Sequence, residues 1–255
     1  MGGAGLAAAA VSAHLPRFLI AAAAALGEVV RLAAEEARHA RVRRLGAGEA
    51  VALFDGAGHA CEGVVETLTR DAIAVRVTRV LPPRLGESAL SLTLAIGLLK
   101  ADKLDWVIEK ATELGATRIQ PFASAFTLAQ PSAARQERWR HVALSAAKQC
   151  GRSVVPEVAL PVAFAALLAQ PAAARLMCAE HGETAPLAAL RLEAPASALL
   201  VVGAEGGFAA AEIEAARSAG FHAVGLGPRV LRAETAAVAA TALCQARWGD
   251  LAAPG

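Results

Sequence analysis

Three groups of residues in this chain have the types and spacing to do chemistry. The first is Gly203-Ala204-Glu205-Gly206-Gly207-Phe208, directly after the apolar run Ala198-Leu199-Leu200-Val201-Val202. Glycines there let a backbone approach a ligand closely, although an ordinary strand-to-helix turn uses the same residues. The second is Leu226-Gly227-Pro228-Arg229-Val230-Leu231-Arg232-Ala233-Glu234-Thr235-Ala236. Pro228 fixes φ and stiffens the loop, so Arg229 can be aimed at a carboxylate or at a ring carbonyl. A salt bridge from Arg229 to Glu234 is the plainer alternative. The third is Arg38, Arg41, Arg43 and Arg44, with His39 among them. Each guanidinium offers a planar fork of donors that suits phosphate. A solvated face partly neutralised by Glu35 and Glu36 is the competing reading.

These groups need elements to position them. Both glycine-bearing segments end a strand-like apolar run and lead into a helix. In an open α/β sheet, ligands bind at the carboxyl ends of strands, so two such ends can form two walls of one pocket. Upstream, Leu90 to Leu98 predicts a buried strand. Ala101 to Leu114 predicts a helix with Leu104, Ile108, Ala111 and Leu114 on one face and Gly115 as its stop. Arg118 to Phe122 predicts a strand, and Arg135 to Cys150 a helix closed by Gly151. The alternation implies a mostly parallel sheet covered by helices.

The first third of the chain has a different texture. Phe18 to Ile20, Val51 to Phe54, Cys61 to Leu68 and Ala72 to Val80 predict short strands, with Asp55-Gly56-Ala57-Gly58 as a tight turn. Strands at this spacing suggest a small β-barrel. Pro82 to Gly86 reads as a linker. The expected organisation is a flexible Ala/Gly extension over 1–15, a barrel over 16–82 and an α/β domain over 88–252.

Composition excludes some classes. The net charge is +2, so overall charge alone does not announce nucleic acid. Residues 1–85 hold ten arginines and eight acids, which makes the arginine cluster a patch on a balanced domain. Cys61, Cys150, Cys178 and Cys244 are far apart and give no metal-ligand spacing, so no metal site is expected. Scattered thiols suit a reducing cytoplasm. Arg17 followed by Phe18-Leu19-Ile20 and alanines loosely matches a signal peptide, but the charge comes late and the run reads equally as a first strand. Pro161 and Pro171 argue against a membrane helix in the uncharged span 158–174. No Gly-x-Gly-x-x-Gly opens a helix, which argues against a dinucleotide-binding enzyme.

Taken in order, the motifs resemble the bacterial 16S rRNA uridine-N3 methyltransferases of the SPOUT, or trefoil-knot, superfamily. The likeness covers Pro16 to Leu251. It is carried by Pro16-Arg17-Phe18, Arg41-Val42-Arg43-Arg44-Leu45, Phe54-Asp55-Gly56, Lys100-Ala101-Asp102-Lys103, Glu109 to Gly115, Gln149-Cys150-Gly151-Arg152 with Val155-Pro156, and above all Leu226 to Ala236. The resemblance implies an α/β fold with an N-terminal PUA-like β-barrel and a C-terminal SPOUT domain with a deep trefoil knot. It also implies S-adenosylmethionine as methyl donor, 16S rRNA or the small ribosomal subunit as partner, and a homodimer without metal or membrane.

Residue by residue, the resemblance places the donor against Val202, Gly203, Glu205, Gly207, Leu226, Gly227, Leu231, Thr235 and Ala236. Arg229 and Glu234 become the catalytic candidates, Arg229 stabilising a uracil anion and Glu234 (or Glu205) accepting the N3 proton. Either acid could equally hold a helix N-terminus. Arg17, Arg41, Arg44, Arg152 and Arg232 become candidates for RNA contact. The chain departs from the family pattern at Ala204 for proline, at Ala233 for threonine, at Ala125-Phe126 for a charged pair, and at Lys148 for glutamate. Ala209 stands for a capping Ser or Thr, which should leave Glu212 without its partner at a cost of about 1 kcal/mol. Two other readings compete: an RNA-binding protein of the same fold without catalysis, against which the intact Leu226 to Ala236 segment argues, and a related enzyme acting on tRNA, against which the N-terminal barrel and the Gln149 to Arg152 signature argue.

Overall fold

The computed structural model describes residues 15–70, 72–127, 131–179 and 184–252. The expected extension lies, but for Leu15, outside the described residues. The chain divides into two compact units, Met1–Glu87 with Ala147–Val155, and Ser88–Ala146 with Pro156–Gly255. A partition into two continuous stretches does not contain this exchange, in which a segment from the middle of the chain joins the first unit.

The first unit holds β1 (Arg17–Leu19), β2 (Val29–Leu32), α1 (Ala34–Val42), β3 (Ala50–Phe54), β4 (Ala60–Leu68) and β5 (Ile73–Val80). They form a five-stranded sheet in the order β1-β3-β4-β5-β2, in which only β1 and β3 run parallel. Irregularities between Glu62 and Gly63 and between Val65 and Thr67 break the β4–β5 ladder, and such bulges bend strands into the curled sheet of a PUA-like unit. Alternate residues Val51, Leu53, Ile73, Val75 and Val77 face one core with Phe18, Ala37 and Ala40. Helix α1 emerges from a stretch that reads by eye as a charged segment. Its buried apolar side chains are only Ala37 and Ala40, too small to stand out as a stripe. Arg44 ends it in the left-handed region at φ 58°.

The second unit holds β6 (Ser91–Gly97), α2 (Ala101–Glu113), β7 (Arg118–Ala123), α3 (Ala133–Cys150, whose last turn counts with the first unit), β8 (Glu157–Val158), β9 (Val162–Ala163), α4 (Phe164–Leu168), β10 (Ala174–Cys178), β11 (Ala185–Pro186), a short 3-10 turn (Leu187–Ala189), β12 (Ser197–Val202), α5 (Ala210–Ser218), β13 (His222–Gly225) and α6 (Ala233–Trp248). Every strand pair is parallel, in the order β11-β13-β10-β12-β6-β7-β8, with β9 beside β7. Parallel strands covered on both faces read as unbroken apolar runs, and β12 is buried from Ala198 to Val202. Sequence patterning finds β6, β7, β12 and the main helices, but not β8 to β11. The uncharged span 158–174 becomes two short strands and a short helix. No helix among the described residues is long and apolar enough to cross a membrane.

Candidate functional site

The sheet order decides where the site falls. Strand β10 lies between β13 and β12, so the carboxyl ends of these three strands stand side by side. Two of them continue into the glycine loops. A cavity of about 220 Å³ opens there, bounded by the segments from Val202 to Phe208 and from Val224 to Leu231, with Cys178 at the end of β10 between them. One water needs only about 10–15 Å³ on this measure, so the space suits a small molecule.

Local geometry explains both loops. After β12, the Gly207 amide donates to the Ala204 carbonyl at 2.9 Å, closing a tight turn in which Gly207 has φ 66°. The turn therefore closes without the proline the family pattern carries at 204. A Cβ on Gly203 would lie 3.1 Å from the Phe208 ring, and one on Gly97 only 2.4 Å from the Ala204 nitrogen. Side chains are excluded from this cradle. After β13, Gly227 adopts φ 103°, turning the chain so that Arg229 lines the cavity. Arg229 forms no ion pair or hydrogen bond among the described residues. The alternative reading, a bridge from Arg229 to Glu234, is not formed among the described residues.

Of the expected donor contacts, Val202, Gly203, Gly207, Leu226, Gly227, Leu231 and Ala236 line the cavity. Glu205 and Thr235 do not, and neither does Glu234, one of the two catalytic candidates. Both acids turn to Lys103 of α2, whose Nζ stands 3.1 Å from Glu205 Oε1 and 3.4 Å from Glu234 Oε2. Hydrogen bonding to Glu205 holds the Lys103 pKa above its usual value. Burial pushes the Glu205 pKa up, but its own backbone amide and Lys103 bring it below the ordinary carboxylate value. Glu234, the expected proton acceptor, stands in the first turn of α6 beside this lysine and outside the lining of the cavity. Thr235 faces outward on the first turn of that helix. Cys178 stays a neutral thiol because burial pushes its pKa up to about 12.

Two expected RNA contacts are also corrected. Arg17 and Arg152 are 7% and 6% exposed. Arg152 Nη2 lies 2.8 Å from Glu87 Oε2, and Glu87 Oε1 accepts from the Ser153 and Val154 amides at 2.9 and 2.8 Å. Arg17 donates to the Arg152 carbonyl at 2.9 Å and stacks 5.0 Å from the Phe54 ring centre. Burial lowers its pKa. This network ties Ala147–Val155 into the first unit. Lys148 belongs to it too, through an ion pair with Glu36 of α1. By contrast Arg38, Arg41, Arg43 and Arg44 are all exposed along the end of α1, and Arg232 is exposed at the N-cap of α6.

Glu212 also departs from expectation. Ala209 offers it no side-chain acceptor in return, but both its carboxylate oxygens are used: Oε2 accepts from the Ala209 amide and Oε1 from the Ala125 amide, each at 2.9 Å. Sequence reasoning missed Gly97, Lys103, Cys178 and this latch. A glycine at a strand end and a lysine in a helix's first turn carry no signal without knowing what they face.

The parallel sheet with a cavity between two glycine loops defines a ligand-binding α/β domain, and the glycine cradle with an apolar wall fits an adenosine-bearing donor. The family model for the RNA methyltransferase domain matches residues 86–245, and that for the RNA methyltransferase PUA domain matches residues 32–78. The chain is 35% identical over 207 residues to the ribosomal RNA small subunit methyltransferase E of Synechocystis sp., covering 79% of this chain and 67% of that one. It is 34% identical over 241 residues to the protein of that name from Mycobacterium tuberculosis, covering 87% and 89%. The crystal structure of the Neisseria gonorrhoeae ribosomal RNA small subunit methyltransferase E bound to S-adenosyl methionine superposes with a TM-score of 0.87 at 33% identity, covering 93% of this chain and 100% of that one. The chain belongs to the ribosomal RNA small subunit methyltransferase E family.

Proposed function

We propose that this chain is an S-adenosylmethionine-dependent methyltransferase that modifies N3 of a decoding-centre uridine in 16S rRNA. The observation that carries the reading is the cavity between the two glycine loops with Arg229, unpaired among the described residues, on its wall. The bound donor supplies an electrophilic methyl carbon on a sulfonium. The backbone of the Gly203–Gly207 and Leu226–Leu231 segments holds the donor's adenosine, and Val202, Leu226, Leu231 and Ala236 give it apolar walls. Their task is to fix the donor in line with the acceptor at near contact distance.

Neutral uracil has no free lone pair at N3. Arg229 donates to O2 or O4 and stabilises the uracil anion as it forms. The N3 proton passes to solvent or to Glu234, which stands beside Lys103 at the start of α6. Arg41 and Arg44 at the end of α1, and Arg232, contact RNA phosphates. A homodimer, a trefoil knot in the α/β domain and a cytoplasmic location beside the small ribosomal subunit belong to the same reading.

The test is methyl transfer from labelled S-adenosylmethionine to small subunits or 16S rRNA, followed by nucleoside mass spectrometry. N3-methyluridine is the expected product. A methyl group on another atom, or RNA binding without transfer, would refute it.

A further inference from the structure

Phe126 follows β7 on a short loop that is pinned at three points. The Ser124 amide donates to Thr127 Oγ1 at 2.9 Å, the Thr127 amide donates to the Ser124 carbonyl at 3.1 Å, and the Ala125 amide donates to Glu212 Oε1 at 2.9 Å. Phe126 in turn packs on the glycine loop after β12. A Cβ added to Gly206 would lie 3.0 Å from Phe126 Cβ and 3.2 Å from its Cγ. Gly206 lines the cavity. The aromatic side chain therefore stands beside the cavity wall, held from below by a glycine that leaves it room.

Despite these supports Phe126 is 51% exposed. Nearby, Phe122, Phe164 and Phe208 pack against one another, with centroids 5.6 to 6.2 Å apart. Phe122 and Phe164 are buried and Phe208 is half-buried, whereas Phe126 is exposed. Fully burying such a side chain is favourable by about 1.5–3 kcal/mol, so the hydrogen-bonded segment 124–127 that keeps it exposed leaves that surface for a ligand.

We propose that Phe126 is a stacking platform for a nucleobase turned out of the RNA at the rim of the donor cavity. The inference rests on the methyltransferase reading above. A base modified at a ring atom must leave its stack to reach the cavity, and proteins hold unstacked bases on aromatic faces. Stacking needs only a π-face, so the platform works beside the target without reading a sequence. It lies in the segment Ala125-Phe126, where the chain departs from the charged pair of the family pattern.

The experiment compares two short probes, a single-stranded oligouridylate and a matched oligomer with abasic ribose, binding to wild type, Phe126→Ala and Phe126→Trp. Wild type should favour the base-bearing strand by about 5- to 100-fold. Phe126→Ala should lose that preference while its S-adenosylmethionine affinity and oligomeric state stay unchanged, and Phe126→Trp should keep it. A preference that survives in Phe126→Ala, or one absent in wild type, overturns the platform. So does a Phe126→Ala variant whose donor affinity or subunit assembly falls while its base preference persists, since Phe126 would then be packing. Wild type that binds neither strand overturns the platform alone, because the functional reading is tested separately by methyl transfer to small subunits or 16S rRNA.

Discussion

The Lys103 ammonium lies 3.1 Å from Glu205 Oε1 in the loop after β12, and 3.4 Å from Glu234 Oε2 in the first turn of α6. One cation on α2 thus joins both segments that wall the cavity. Exposed pairs of this kind are individually weak. Lys103→Met should therefore weaken S-adenosylmethionine binding by about two- to fivefold in calorimetry, with Lys103→Arg close to wild type.

Arg229 is expected to act on the acceptor and not on the donor. Arg229→Ala should bind S-adenosylmethionine within about threefold of wild type, yet lose at least about 100-fold in kcat, the usual effect of removing an oxyanion donor. Single-turnover methylation with saturating donor separates the two effects. A variant that fails to bind the donor assigns Arg229 to the donor's carboxylate.

Glu87 neutralises Arg152 in the interior of the first unit, where the two side chains are 2% and 6% exposed. Removing one partner leaves an unpaired buried charge, a loss of about 3–5 kcal/mol. Glu87→Ala and Arg152→Ala should both lower the unfolding free energy by that amount, read as a lower denaturation midpoint. Arg41→Ala should leave the midpoint unchanged and instead weaken RNA binding and flatten its salt dependence.

Gly97 ends β6 with no room for a methyl group, since a Cβ there would stand 2.4 Å from the Ala204 backbone nitrogen. Gly97→Ala must push the glycine loop away from β6. Donor affinity should fall by more than about tenfold while the far-UV circular dichroism of the sheet persists, a larger effect than small-to-large changes at tolerant positions produce.

Asp55 carries a pH-dependent share of the stability of the first unit. Burial raises its pKa, but hydrogen bonds from the Ala57 and His59 amides and the His59 ring more than offset this and hold it below the usual value of 3.8. A depressed folded pKa means stability that is fully present above the ordinary carboxylate range and is lost as pH falls through the folded value. Asp55→Ala should be less stable than wild type by about 1–2 kcal/mol at neutral pH. The gap should narrow below pH 3.8, read from melting temperature against pH.

Apolar runs such as Ala198–Val202 and stops such as Gly115 and Gly151 determined the main strands and helices from local sequence alone. Both glycine loops were legible for the same reason, because the chemistry that ends a strand lies next to it in the chain. Strand β10 was not legible, since its neighbours β13 and β12 are set by long-range pairing, and neither was the place of Cys178 between the loops. Arg17, Arg41, Arg44 and Arg152 look alike as residues in a sequence. Only the folded chain separates the two held in the interior with Glu87 from the two left on the surface of α1. The same holds for Glu234, which the sequence sets beside Arg229 and the tertiary structure gives to Lys103, because a charge pairs with whatever the fold brings within reach.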